Sequence, residues 1–212
     1  MKISVSYLGC KNIKDTLKLL DKTDCDFIHC DVMDNKYVKN KSISFKDLYN
    51  ATKYTTKRMD VHLMVEKPIK YIDSYASLNA EYITIHLDIK NDIDKTIDLI
   101  KMYGIKVGLA LNPNQDIGLL KPYLDKIDLI LIMTVVPGKS GQELIDESSN
   151  KIKDVKKLIK GKNILIESDG GINDITKSKV KDSDIIVSGS YILKSEDYQT
   201  SINLLRKNGC KK

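Results

Sequence analysis

The stretch Ile28-His29-Cys30-Asp31-Val32-Met33-Asp34 sets an imidazole and two carboxylates in a run that otherwise reads as a buried strand. Side chains alternate along an extended chain, so His29, Asp31 and Met33 share one face and Ile28, Cys30 and Val32 the other. His29 and Asp31 then stand about 7 Å apart along the strand, near enough to hold one metal ion or one substrate atom between them. Similar groups close other β-branched runs: His62 and Met64 in "MDVHLMV", His86 in "EYITIHL", Met133 in "DLILIMTV" and Asp169 in "NILIESD". Together His29, Asp31, His62 and Asp169 make a four-ligand nitrogen and oxygen set suited to a divalent ion such as Zn²⁺, Fe²⁺, Mn²⁺ or Co²⁺. A lone histidine at a strand end is usually structural, and it is the combination at one rim that points to chemistry. His86 is expected to support the set rather than to ligate. Met33, Met64 and Met133 fall on the same rim, where they would wall the site against water.

Glycines supply a second signal. "VPGKSGQ" at 136–142, "DGGI" at 169–172 and "SGS" at 188–190 each follow a strand-like run. Glycine lets backbone N–H groups approach an anion closely, and a helix starting near Ser190 would add its positive end. A bulky residue at Gly171 is expected to occupy space needed by the anion or by the backbone.

Bringing such groups to one rim requires parallel strands in register. Eight short runs supply them, at 2–6, 26–32, 59–65, 81–87, 106–111, 128–135, 163–169 and 184–189. Segments of helical spacing lie between, such as Ile93, Ile97 and Ile100, or Ile145, Ile152, Val155, Leu158 and Ile159. Alternating units with short connections imply a parallel sheet, either open and doubly wound or closed; eight repeats favour a (β/α)8 TIM barrel, one domain over 1–212. In that fold chemistry sits at the C-terminal strand ends, and phosphate often binds after strands seven and eight.

Composition narrows the classes further. With 42% hydrophobic and 30% charged residues, and no apolar run near the roughly 18 residues of a membrane span, a soluble globular protein is expected and no membrane partner. The chain enters "MKISVSYL" without a signal-peptide pattern, which points to the cytoplasm. Cys10, Cys25, Cys30 and Cys210 lack CxxC spacing and read as reduced thiols. The net charge of +6 comes from lysines scattered among acids, with no arginine cluster or aromatic-basic stripe, so no nucleic-acid partner is expected.

The sequence resembles the ribulose-phosphate 3-epimerases in "VS" at 5–6, "HCDVMDNKYVKN" at 29–40, "DVHLMV" at 60–65, "GLALNP" at 108–113, "MTVVPGKSGQ" at 133–142, "DGGI" at 169–172 and "GS" at 189–190. The resemblance implies one divalent metal ion per chain (Zn, Fe, Mn or Co) held by His29, Asp31, His62 and Asp169, with Asp31 and Asp169 as paired acid and base. It also implies substrate contacts from Ser6, His62, Gly138 and Gly170, a pocket lined by Met33, Met64 and Met133, and phosphate held by backbone groups of Gly141, Gly171, Gly189 and Ser190. The implied reaction interconverts D-ribulose 5-phosphate and D-xylulose 5-phosphate in the pentose phosphate pathway; a homo-oligomer is expected. Alternatives are a 3-epimerase of a six-carbon ketose phosphate such as D-allulose 6-phosphate, and a non-catalytic phosphate-binding barrel, against which the intact Asp31 and Asp169 argue. The sequence departs from the family pattern at Asn35, where glycine is usual, at Lys39, where proline is usual, and at Lys139-Ser140, where a Phe-Gly pair stands in the lid. Inverting a carbon beside a carbonyl requires a proton to leave one face and another to arrive on the opposite face, which two carboxylates can do.

Overall fold

The computed structural model describes residues 1–90 and 92–207. Eight parallel strands, β1 (Lys2–Ser6), β2 (Phe27–Met33), β3 (Arg58–Met64), β4 (Ala80–His86), β5 (Lys106–Leu111), β6 (Leu129–Met133), β7 (Leu165–Asp169) and β8 (Ile185–Ser188), pair in chain order. The sheet closes where β8 pairs with β1, so the barrel and not the open sheet is formed. The connecting helices are α1 (Ile13–Asp21), α2 (Phe45–Thr52), α3 (Ile72–Ala76), α4 (Ile93–Met102), α5 (Asp146–Leu158), α6 (Ser190–Leu193) and α7 (Tyr198–Arg206).

Each helix turns an apolar stripe onto the outward face of the strands. In α1 the Asn12 side chain caps the first turn by accepting the Asp15 N–H, and Leu17 and Leu20 are buried. In α4 Asp92 caps, and Ile97 and Ile100 are buried against the barrel. Fully burying one such side chain contributes about 1.5–3 kcal/mol, which outweighs the roughly 1 kcal/mol of a cap. Connections after β5 and β7 depart from the helix expectation: they are 3-10 turns, Ile117–Tyr123 and Thr176–Val180. Pro122, which lacks an N–H, lies within the first, and the second follows a loop already used by Gly170 and Gly171.

The interior is layered. Phe27, Tyr82, Leu129 and Ile185 form an apolar plug at the N-terminal end, with Phe27 and Tyr82 edge to face at 5.7 Å. One step up, registers His29↔Asp60 and Asp60↔Tyr82 begin a polar layer, and Asp31↔His62, Met33↔Met64 and Met133↔Asp169 set the layer above it. Two-residue alternation puts all these side chains inside. Strand β2 runs to Met33, so His29 lies deeper than a strand-end position. Cys10, Cys25 and Cys30 are free thiols, and Cys210 lies outside the described residues. Among the described residues no helix is long and apolar enough to cross a membrane.

Candidate active site

His29 from β2 and His62 from β3 are wholly buried, and each turns a nitrogen without a hydrogen-bond partner toward the same two acids. His29 Nε2 and His62 Nδ1 both lie 3.5 Å from Asp31 Oδ1 and 3.9 Å from Asp169 Oδ2. These spacings are long for hydrogen bonds. Four ligands at about 2.1 Å around a tetrahedral ion stand about 3.4 Å apart, close to what is found here. One ligand atom from each of the four residues fits within 4.8 Å of the other three. The residues present therefore fit a divalent ion, and His62→Ala is expected to weaken its binding by at least about a hundredfold, read by elemental analysis and chelator competition.

The two acids are tuned apart. Burial alone would raise the Asp31 carboxyl, but the adjoining imidazoles of His29 and His62 outweigh it and hold Asp31 well below the usual carboxylate range. Burial pushes Asp169 up to about 6, against the pull of His29 and with the help of the Asp31 charge. For His29, burial would lower the imidazole, yet Asp60 and Asp31 override it and hold the ring charged in the metal-free protein. Burial and the neighbouring His62 keep His86 neutral. Metal uptake near pH 7 is thus expected to displace the proton on His29 Nε2, so that binding releases protons. Below about 6, where Asp169 is also protonated, the release rises and affinity falls more steeply with acid. Titration calorimetry in buffers of different ionisation enthalpy counts these protons.

A cavity of about 900 Å³ opens above the set. Ser6, Asp31, Asp169, Met64 and Met133 line its floor, and Gly138, Gly141, Gly170, Gly171, Gly189 and Ser190 its rim. Met33 is buried beside Met64 in the ladder. Ser6 Oγ donates to Asp31 Oδ2 at 2.7 Å, which fixes the carboxylate's rotation. The β7 loop is tied down: Thr134 Oγ1 donates to the carbonyls of Asp169 and Gly170, and Thr176 Oγ1 to that of Gly171. Helix α6 has only four residues, so the helix-end contribution expected at Ser190 reduces to the N–H groups of one turn. Gly171 has φ +66°, and a Cβ there would lie 2.5 Å from the Leu144 backbone nitrogen. A side chain at this position meets the backbone of the loop after β6, the second of the two expected obstacles. Gly171→Leu is therefore expected to raise KM by roughly tenfold to a hundredfold, because the displaced loop carries rim groups. Steady-state kinetics on the folded variant checks it.

The departures from the family pattern have local explanations. Asn35 adopts φ +60°, a conformation that asparagine tolerates better than most residues with a Cβ. In the loop after β6, the Gly138 carbonyl accepts from Asn40 Nδ2 at 3.0 Å, and a Cβ on Gly138 would lie 2.9 Å from that of Val38. Ser140 packs beside Gly9, where a Cβ would lie 3.0 Å from the serine Oγ. Lys139, between these two contacts, lines the cavity and is exposed, as Lys39 is. Lys179 also lines the cavity and pairs with Asp146.

Several residues are absent from the sequence expectation. Asp60 Oδ2 accepts from His29 Nδ1 and from Ser4 Oγ, each at 2.7 Å, and so turns His29 Nε2 toward the site. Glu167 is fully buried beside Asp60 with neither oxygen hydrogen-bonded; burial and the Asp60 charge hold its carboxyl well above the usual range. Both stand two residues before a site residue, His62 and Asp169, and the alternation that faces those inward faces Asp60 and Glu167 inward as well. His86 Nε2 lies 2.8 Å from His62 Nε2.

The chain can be set beside known proteins. The model of the ribulose-phosphate 3 epimerase family matches residues 2–193. The chain is similar to the ribulose-phosphate 3-epimerase of Buchnera aphidicola subsp. Baizongia pistaciae, 45% identical over 223 residues, covering 100% of this chain and 96% of that protein. It is also similar to the enzyme of that name from Bacillus subtilis, 36% identical, with 97% and 98% covered. Among solved structures, 3-hexulose-6-phosphate synthase from Salmonella typhimurium is similar with a TM-score of 0.70 at 17% identity, over 97% of this chain and 96% of that one, a likeness of fold alone. Full-length identity of this degree, joined to a rim that brings His29, Asp31, His62 and Asp169 together, makes the chain a member of the ribulose-phosphate 3-epimerase family.

Proposed function

We propose that this chain is a divalent-metal-dependent epimerase that interconverts D-ribulose 5-phosphate and D-xylulose 5-phosphate by proton transfer between C3 of the sugar and the carboxylates of Asp31 and Asp169. The observation that carries the reading is the pair of acids reaching one cavity from β2 and β7, with opposite shifts, around two imidazole nitrogens that lack partners. Asp31, held ionised, is ready to accept a proton; Asp169, at about 6, is nearer to giving one. One acid serves each face of the carbon, and the roles exchange when the reaction runs backward. A bound divalent ion supplies positive charge against the negative charge that develops as the proton leaves. Ser6 keeps Asp31 in place, and Met64 and Met133 keep water from the reacting carbon. The rim glycines and Ser190 offer backbone N–H groups to the phosphate.

On this reading the protein takes a phosphorylated ketose as its partner, carries one ion per chain, and works in the cytoplasm as a homo-oligomer of single-domain barrels without nucleic acid. A turnover assay with D-ribulose 5-phosphate, free D-ribulose and D-allulose 6-phosphate tests it. The phosphopentose is expected to react fastest by at least about tenfold. Equal turnover of free ribulose would remove the phosphate assignment, and faster turnover of the six-carbon sugar would move the chain to the sister activity.

A further inference from the structure

His62 is held from behind by a second histidine. Nε2 of His62 and Nε2 of His86 are 2.8 Å apart, the rings stack with centroids 5.0 Å apart at 29°, and both residues are fully buried. At that distance one nitrogen donates and the other accepts, so the tautomers of the two rings are tied together. An ion on His62 Nδ1 uses that nitrogen's lone pair and leaves the proton on Nε2. His86 must then accept through Nε2 and carry its own proton on Nδ1. Behind His86 the ring of Tyr37 lies 4.8 Å away, reaching in from the loop that follows β2. The Tyr37 hydroxyl donates to Asp88 Oδ1 at 2.7 Å and accepts from Asn112 Nδ2 at 2.9 Å; the same Nδ2 also donates to Asp88 Oδ2. Residues from the ends of β4 and β5 thereby hold the tyrosine against the imidazole.

We propose that His86 is a positioning residue for the metal centre: by accepting the His62 Nε2 proton it fixes the tautomer that aims His62 Nδ1 at Asp31 and Asp169, while Tyr37, Asp88 and Asn112 hold the accepting ring. The proposal rests on the metal reading above. It also makes the two imidazole ligands unequal. His29 gives its second N–H to the carboxylate of Asp60, the usual partner of a ligating histidine, whereas His62 gives its own to a neutral ring.

The wild-type protein supplies the decisive test, because the chain has only three histidines. In zinc-loaded, ¹⁵N-labelled protein, long-range proton–nitrogen correlation spectra separate protonated, bare and metal-bound ring nitrogens. The expected pattern is zinc on His62 Nδ1, a proton on His62 Nε2 and a proton on His86 Nδ1. Zinc on His62 Nδ1 with the His86 proton on Nε2 overturns the proposal alone; no zinc on His62 overturns the metal reading and the proposal with it. Competition with a chelator gives a second measure. His86→Leu, which fills the space without an acceptor, is expected to weaken zinc binding about 10–100-fold, and His86→Gln, whose amide oxygen can accept, to stay within about threefold of wild type. Glutamine as weak as leucine, or leucine as tight as wild type, overturns the positioning role. Should His86→Leu fail to fold, the wild-type spectra still decide.

Discussion

Asparagine in place of Asp31 or of Asp169 is expected to slow epimerisation by about three to four orders of magnitude. Each change keeps the side chain's shape and, in the proposed mechanism, removes a proton carrier from one face of the substrate. At Asp31 the amide also sets N–H donors or an uncharged oxygen beside His29 and His62, whose interactions with the carboxylate sustain its ionised state. At Asp169 the group lost is the one poised near 6, so the fall is expected in both directions of the reaction. Metal content must be measured on each variant, since both residues belong to the candidate ligand set. A variant that keeps its ion and its wild-type rate would remove that residue from the proton path.

Exhaustive chelation is expected to have an effect of similar size. Loss of the ion leaves two buried nitrogens, His29 Nε2 and His62 Nδ1, without a bonding partner, and removes the charge that offsets the developing negative charge on the sugar. Activity should fall at least about a thousandfold and return when a divalent ion is added back. The folded chain should also lose stability. An ion at a hundredfold excess over its Kd contributes about 2.7 kcal/mol, which in a chain of this size raises Tm by roughly 5–10 °C. Full activity in metal-free protein, verified by elemental analysis, would contradict the metal reading.

Much of this arrangement can be read from the chain. The runs "KISVS" and "KVGLAL" coincide with β1 and β5, and two-residue alternation is enough to face His29, Asp31, His62 and Asp169 inward. Alternation states direction and not depth, so His29 reads as a rim residue although the strand continues four residues beyond it. Depth comes from register between neighbouring strands, and Asp60 becomes meaningful only when His29↔Asp60 pairing brings it to the imidazole. The pairing of His62 with His86 likewise depends on the β3 and β4 ladder. Contacts among loops carry no periodic signal at all: Gly138 against Val38 and Ser140 against Gly9 join segments distant in sequence. The replacement of helices by 3-10 turns after β5 and β7 is set by proline and by loop length, where propensity is a weak guide.

Solvent deuterium reports most directly on whether two acids serve opposite faces of one carbon. In heavy water, an Asp31→Asn or Asp169→Asn variant that retains its ion still has one carboxylate, which can remove and return a proton on its own face. Label should therefore enter C3 of one epimer without inversion, and the two variants should label opposite epimers. Both variants labelling the same epimer, or either one epimerising at nearly the wild-type rate with its ion bound, would contradict a two-carboxylate site.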